Sequence, residues 1–437
     1  MNATAIGTFR QELAGLAGRA QPSHLSDAQR VARAKEVILS RVDESYATYL
    51  ETCLHCGMCA EACHFFLGTG QAKYTPIHKV DPLKRVYRRE TGPLRWLFRL
   101  VTRDITAGEL ESYQELVFDS CTECGRCDLM CPMGIQISPM IGIMREALAA
   151  ADLAPPAFRA VKAEQTTAHK VLGVGRAEIK ALAARIASEG VKVPVDSDRA
   201  DIVYFATALD ARLFPESLKQ AAKIFNRTGA SWTLLSASPE LLGTGESVAE
   251  VDLKGILSEA EQRGAKSVIL PQCGHAYPRL RFDGANILGR ALPFEVLSIT
   301  EYIGRELQAG RLKLKPMQGQ PTVTYHDPCK IGRGGGVFAE PRAAIGALGL
   351  QLREMESHER TNYCCGGGGG QFLIDKAKHL RQRAFEIKMR EVDNTGAGAV
   401  ITACNSCRYN YLAGASDANW QTGIQSLVEM VGAQLTD

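Results

Sequence analysis

Five cysteines in the last third of the chain, Cys329, the adjacent Cys364 and Cys365, Cys404 and Cys407, follow the spacing C-x34-CC-x38-C-x2-C. Thiols in three groups so far apart meet only where the chain folds back on itself, and thiolates gathered this way hold metal. A [4Fe-4S] cubane is held by four Cys thiolates, so a fifth exceeds what a storage or wire site requires. Cys364 and Cys365 cannot both aim at one corner of a compact cube, whereas an opened cluster with a bridging thiolate uses both. Gly366 to Gly370 follow the pair and let the backbone approach inorganic sulfide with its N–H groups turned to a negative site. An open iron site follows from this arrangement. Zinc, with four ligands and paired knuckles, leaves the vicinal pair unexplained. Unrelated buried thiols and a strained vicinal disulfide complete the range of readings.

Eight more cysteines form two tandem runs, Cys53, Cys56, Cys59, Cys63 and Cys121, Cys124, Cys127, Cys131. Both read C-x2-C-x2-C-x3-C, the bacterial ferredoxin run in which the fourth Cys ligates the other cluster. The expected sets are Cys53, Cys56, Cys59 with Cys131, and Cys121, Cys124, Cys127 with Cys63, giving two cubane [4Fe-4S] clusters. Cys131 is followed by the usual Pro132, but Cys63 is followed by His64.

The elements around these residues divide the chain. An N-terminal helical segment (1–50) has a helical pattern over 22–50, with a capping box from Ser26 and Gln29. A ferredoxin-type unit (51–152) contains the insertion 64–120, whose stretch 73–103 carries nine Lys or Arg against Asp81 and Glu90. Trp96, Leu97, Phe98, Leu100 and Val101 alternate there with Arg95, Arg99 and Arg103. The ordinary reading packs this apolar stripe on the ferredoxin core with arginines outside; the alternative is a docking surface for a membrane partner or anionic lipid. Helices near 138–151, 157–170 and 176–189 lead through a linker (153–200) to a strand-helix rhythm. Strands are expected at 202–206, 232–235, 267–270, 322–325 and 399–402, with helices at 215–228 and 372–392, which argues a parallel sheet. Val268 to Cys273 mirrors Val400 to Cys404, so 201–320 and 321–437 are two repeats. The first has Ala276 where Cys407 stands and has lost its cluster. Cys273 and His275 remain in it, either as mere support or facing the cluster, where His275 could supply protons to departing thiolates. Lys330 and Arg333 either attract an anionic substrate tail or are solvated.

Composition bounds the rest. A chain of 437 residues buries a sizeable core, and a net charge of +3 is too small to make nucleic acid the main partner. Fourteen cysteines in an ordinary composition signify metal and a reducing compartment. Residues 1–20 carry Arg10, Glu12 and Arg19 without an apolar h-region, and no uncharged run approaches 18 residues, so the expectation is a cytoplasmic chain with no transmembrane segment of its own.

The five-cysteine pattern resembles the CCG, or cysteine-rich, domain, which implies that Cys329, Cys364, Cys365, Cys404 and Cys407 hold a noncubane [4Fe-4S] cluster that works on a disulfide. Further motifs are the two ferredoxin runs, Cys63-His64-Phe65-Phe66-Leu67-Gly68-Thr69-Gly70, the Cys-Gly-His-Ala half-motif and His326-Asp327-Pro328-Cys329. With these the chain is similar to the family of DsrK and the D-type subunit of heterodisulfide reductase over about residues 30–412. The resemblance implies an α+β multidomain protein, a helical ferredoxin-type domain followed by an α/β CCG domain of two repeats. It also implies a heterodisulfide reductase-like oxidoreductase in sulfur metabolism. A membrane cytochrome b would exchange electrons with quinone, and the substrate would be a disulfide or trisulfide of a small protein or a low-molecular-weight disulfide. The chain would then sit on the cytoplasmic membrane through that partner. Two rival roles are an electron-transfer subunit of a flavin-dependent glycolate or lactate oxidase, and a binding role in which the cluster domain anchors a complex.

Overall fold

The fold was analysed in a computed structural model, which describes residues 3–237 and 246–436. The first 190 residues are helical. The Asp27–Arg41 helix starts at Ser26, whose side chain and that of Gln29 form the expected reciprocal cap. It does not run on to Leu50. Asp43 accepts from the Tyr46 N–H at 2.9 Å and opens a separate helix, Glu44–Thr52. A side-chain acceptor placed before a free N–H competes with helix continuation and resets the axis.

The two ferredoxin runs fold alike. In each, the residue just before the second cysteine is left-handed (His55 and Glu123, both φ 53°), as is the glycine after it (Gly57 φ 83°, Gly125 φ 73°). Each glycine then starts a short helix, Met58–Ala62 or Arg126–Met130, and the two helices pack together. The insertion contributes the Asp81–Glu90 helix, whose Leu83 and Val86 are buried, and a short Arg95–Val101 helix in which nothing is buried.

The second half holds two four-stranded parallel sheets. β1 (Ile202–Tyr204), β2 (Trp232–Leu234), β3 (Ser267–Leu270) and β4 (Glu295–Ser298) are ordered β2-β1-β3-β4. β5 (Thr322–His326), β6 (Gln351–Leu352), β7 (Ala399–Thr402) and β8 (Gly423–Ser426) are ordered β6-β5-β7-β8. The same order recurs, and β4 and β8 both end in a serine that caps the next helix, Ser298 over Glu301 and Ser426 over Glu429. The five expected strands are present; β4, β6 and β8 are additional. The helix expected from 372 begins only at Lys378, and residues 371–377 before it form two 3-10 turns. Pro194 and Asp196 of the linker bond to Leu234 and extend the edge of the first sheet.

The repeats meet along a buried polar seam. Gln272 Nε2 donates to Ser217 Oγ at 3.2 Å, its Oε1 accepts from Ser426 at 3.0 Å, and its carbonyl accepts the Asn405 N–H at 2.8 Å. Asn405 in turn donates to Asp210 at 2.7 Å. A satisfied network of this kind fixes one docking geometry between the two halves.

Candidate iron-sulfur centre

β5 and β7 lie side by side, with β6 beyond one and β8 beyond the other. Parallel sheets open a crevice where strand order reverses in this way, at the carboxyl ends of the strands. Cys329 follows β5 there, and Cys404 and Cys407 stand at the start of the Asn405–Ala418 helix that follows β7. The loop carrying Cys364 and Cys365 closes over them. It is held by Asp327, which is buried, pairs with Arg342 at 3.0 Å and accepts the Glu359 N–H at 2.7 Å; its carbonyl accepts from Asn362 Nδ2 at 2.6 Å.

All five thiols are buried. Hydrogen bonds from Cys329 and Cys365 hold Cys364 well below the usual thiol range, and one from Cys407 lowers Cys404. The donors Cys329, Cys365 and Cys407 are pushed well up by the same contacts and by burial. Gly366 N–H lies 3.4 Å from Cys364 Sγ and Gly367 N–H 3.5 Å from Cys365 Sγ. A Cβ on Gly367 would meet Asn410 Cβ at 2.6 Å, so glycine is required there by close approach. Five buried soft donors gathered at one crevice fit an iron-sulfur group and fit little else.

His326 was not singled out in the sequence. Its ring is fully buried, both nitrogens lack a hydrogen-bond partner, and a ring nitrogen lies within 4.8 Å of the Cys365 and Cys407 sulfurs. Burial lowers it to about 3, so the imidazole is neutral. The His-Asp-Pro-Cys string was the available signal, since a histidine three residues before a ligand at a strand end points into the same crevice.

The ferredoxin cysteines gather crosswise. Burial raises Cys59, and Cys53, Cys131 and Cys56 add to it; burial raises Cys127, and after Asp128 the contributors are Cys124, Cys121 and Cys63. The first set reaches the surface at Cys56, which is exposed. The second lies against the five-thiol site, where Cys124 packs on the group of Cys329, Cys364 and Cys365. Burial alone would raise Cys124, but contact with His64 and the charge of Arg333 bring it to about 7. His64, the departure from the usual proline, thus places a buried ring beside Cys124.

Three arginines bind the two units together. Arg145, almost fully buried, donates to the carbonyls of Val117 at 2.7 Å, Cys121 at 2.6 Å and Gly369 at 2.9 Å. Arg333 donates to the carbonyls of Cys124 at 2.9 Å, Arg360 at 2.7 Å and Asn362 at 2.9 Å. Arg126 donates to the Thr361 carbonyl at 2.8 Å and stacks on Tyr363. Arg333 is therefore a strap between loops and not a free cation for a substrate tail.

The degenerate repeat does face the centre. His275 Nε2 accepts the Gly369 N–H at 3.0 Å, and a Cβ on Gly274 would lie 3.7 Å from Cys404 Sγ. Cys273 is buried beside them. Burial lowers His275 to about 4, so it is neutral near pH 7 and holds the glycine loop; the proton-supplying role read from the sequence narrows to positioning.

Comparison with known proteins agrees with this anatomy. Residues 49–135 match the 4Fe-4S dicluster domain and residues 323–411 the cysteine-rich domain, CCG. The chain is 27% identical over 400 residues, 88% of its length and 94% of the relative's, to the D-type subunit of dihydromethanophenazine:CoB--CoM heterodisulfide reductase of Methanosarcina barkeri. It is 24% identical over 438 residues, 85% of its length and 78% of the relative's, to Hdr-like menaquinol oxidoreductase iron-sulfur subunit 2 of Archaeoglobus fulgidus. It is also 25% identical over 395 residues, 82% of its length and 54% of the relative's, to EtfAB:quinone oxidoreductase of Syntrophomonas wolfei. The chain is thus a homologue of the D-type heterodisulfide reductase subunits and the Hdr-like iron-sulfur subunits, an α+β multidomain protein with two kinds of iron-sulfur domain. Among the described residues no helix is long and apolar enough to cross a membrane.

Proposed function

We propose that this chain is the iron-sulfur subunit of a membrane-linked redox complex that passes electrons between a quinone-reactive cytochrome b partner and a disulfide or thiol substrate. The observation that carries it is the packing of Cys124, in the second ferredoxin run, on the five-thiol centre, while the helix of the first run, whose Cys56 is exposed, packs on that of the second. In this reading Cys53, Cys56, Cys59 and Cys131 hold the entry cubane, and Cys121, Cys124, Cys127 and Cys63 the one next to the centre. Cys329, Cys364, Cys365, Cys404 and Cys407 hold a noncubane [4Fe-4S] cluster. The clusters, when bound, supply one-electron steps and an open iron for sulfur.

The chain's own residues do the rest. Disulfide reduction consumes two electrons and two protons and releases two thiols, so the site must hold sulfur between two single-electron arrivals and keep water out. Burial of the five cysteines meets the second need. Gly366 and Gly367 aim N–H groups at the sulfur ligands, His275 fixes the glycine loop through Gly369, and neutral His326 sets a ring nitrogen beside Cys365 and Cys407. The relatives' printed names, a heterodisulfide reductase subunit and a menaquinol oxidoreductase subunit, support a membrane partner and attachment at the cytoplasmic face through it.

A second reading is favoured by the relative named EtfAB:quinone oxidoreductase: the centre relays electrons only, and a flavoprotein partner holds the chemistry. EPR of the anaerobically purified, oxidised protein with and without a thiol separates the two. A signal of the oxidised five-cysteine centre that shifts with thiol and disappears in Cys364→Ser supports disulfide chemistry; cubane signals alone, indifferent to thiol, support the relay.

A further inference from the structure

The short Arg95–Val101 helix buries neither of its faces, so its apolar side stands in the open beside half-exposed Arg99. Around its axis the apolar side chains Leu94, Trp96, Leu97, Leu100 and Val101 occupy one arc, and Arg95 and Arg99 the other. A helix on a protein surface ordinarily hides the first arc and wets the second. Here Arg99 reaches back to Glu90, while Trp96 is 62%, Leu100 76% and Val101 72% exposed. The orientation is fixed. Arg89 donates to the Arg99 carbonyl at 3.2 Å and to that of Thr102, and Arg88 lies over the Phe98 ring. The sequence expectation that this stripe packs on the ferredoxin core is therefore overturned: the core side of the insertion is supplied by Leu83 and Val86 of the preceding helix.

A contiguous apolar face held outward signifies something that covers it. We infer that this face seats in the headgroup layer of an anionic lipid bilayer. Three observations favour lipid. Trp96 stands among aliphatic side chains, the composition that settles at the boundary of hydrocarbon and headgroups. Arg95 and Arg103 flank the apolar arc, and Arg103, with its side chain 80% exposed, has only a distant carboxylate at 3.8 Å. Other large exposed apolar residues, Leu54 and Met58, flank the exposed Cys56 in sequence, and Arg88, which lies over Phe98, pairs at 2.6 Å with Glu51 of the Glu44–Thr52 helix that leads into that run. With few apolar side chains the attachment is weak and reversible, and anionic lipid adds about 1 kcal/mol per basic residue near the surface.

Cosedimentation of the full, cluster-loaded chain with large vesicles tests this. Vesicles of phosphatidylcholine with phosphatidylglycerol should bind the chain, pure phosphatidylcholine at least about tenfold less, and Trp96 emission should shift to the blue on binding. The doubly substituted Leu100→Glu, Val101→Glu chain should lose binding at least about tenfold, because two side chains with few contacts of their own become charged. Leu39→Glu, an exposed leucine elsewhere, should bind as before. A native chain that stays in the supernatant with every vesicle overturns the inference and leaves a protein subunit as the cover; so does binding that survives the double substitution. The inference stands apart from the disulfide chemistry, since the thiol response in EPR is read in the same double variant without vesicles.

Discussion

Arg145→Met should loosen two loops far apart in sequence at once. The guanidinium is 2% exposed and donates to three carbonyls, one before the second ferredoxin run, one at Cys121 and one at Gly369. Charge-assisted bonds contribute about 1.5–3 kcal/mol each, and removing the donor strands three buried acceptors. Simple addition gives more than is realistic, because bonds to one group are not independent and water can enter the vacated space. A net loss of about 3 kcal/mol in the local opening energy is the working figure. At 1.36 kcal/mol per factor of ten, that is about a hundredfold faster exchange. Because a chain of several units need not unfold in one step, the assay is residue-resolved hydrogen exchange under anaerobic conditions, not a melting point. Amides of 121–125 and 366–370 should accelerate together, while those of β1 and β3 stay unchanged. Acceleration in only one loop, or less than about fivefold in both, would refute the view that Arg145 is a shared strap.

Cys63→Ser should remove about four irons and the signal of the cluster whose other three ligands come from 121–127, leaving the 53–59 cluster in place; EPR with iron counting reads both. Gly367→Ala should empty the five-cysteine centre and spare the cubanes, because its Cβ would meet Asn410 Cβ at 2.6 Å, and adding Asn410→Gly should restore much of the loss. His275 is lowered from 6.5 to about 4 by burial, so between those values the unfolded chain takes up a proton that the folded chain does not. Stability from this group is present above pH 6.5 and is lost as pH falls toward 4, by up to about 3 kcal/mol. Urea midpoints of His275→Gln should therefore fall less steeply with acid than those of the native chain.

Much of this was written in the sequence in the form of spacing. Ligand sets are short-range grammar: the C-x2-C-x2-C-x3-C runs specify loops whose left-handed residues, His55 with Gly57 and Glu123 with Gly125, are the same in both. Short, wholly apolar runs such as Val268 to Leu270 also announce themselves. β6, with two residues, and β8, reading Gly-Ile-Gln-Ser, are strands by virtue of their neighbours and carry little signal of their own. The outward apolar face of the Arg95–Val101 helix was illegible for another reason. Periodicity reports that a helix has an apolar arc, not which way the arc is turned; Arg89, Arg99 and Glu90 decide that through contacts no pattern displays. The straps were hidden likewise, since Arg145 is 224 residues from the carbonyl it holds at Gly369. His64 was visible as an irregularity, but its place beside Cys124 emerges only when the two ferredoxin loops face each other.

Just after Cys273 and Ala276, Tyr277 plugs the first repeat: it is buried in one core with Ile331 and Val337, and its hydroxyl is anchored on Glu301 at 2.7 Å. The ring lies so close to Gly335 that a Cβ there would be 2.3 Å from it. Adding ligands one at a time gains nothing until the plug is removed, and removing a buried aromatic costs about 3–5 kcal/mol. The half without a full cysteine set is thus closed by packing to any stepwise gain of ligands.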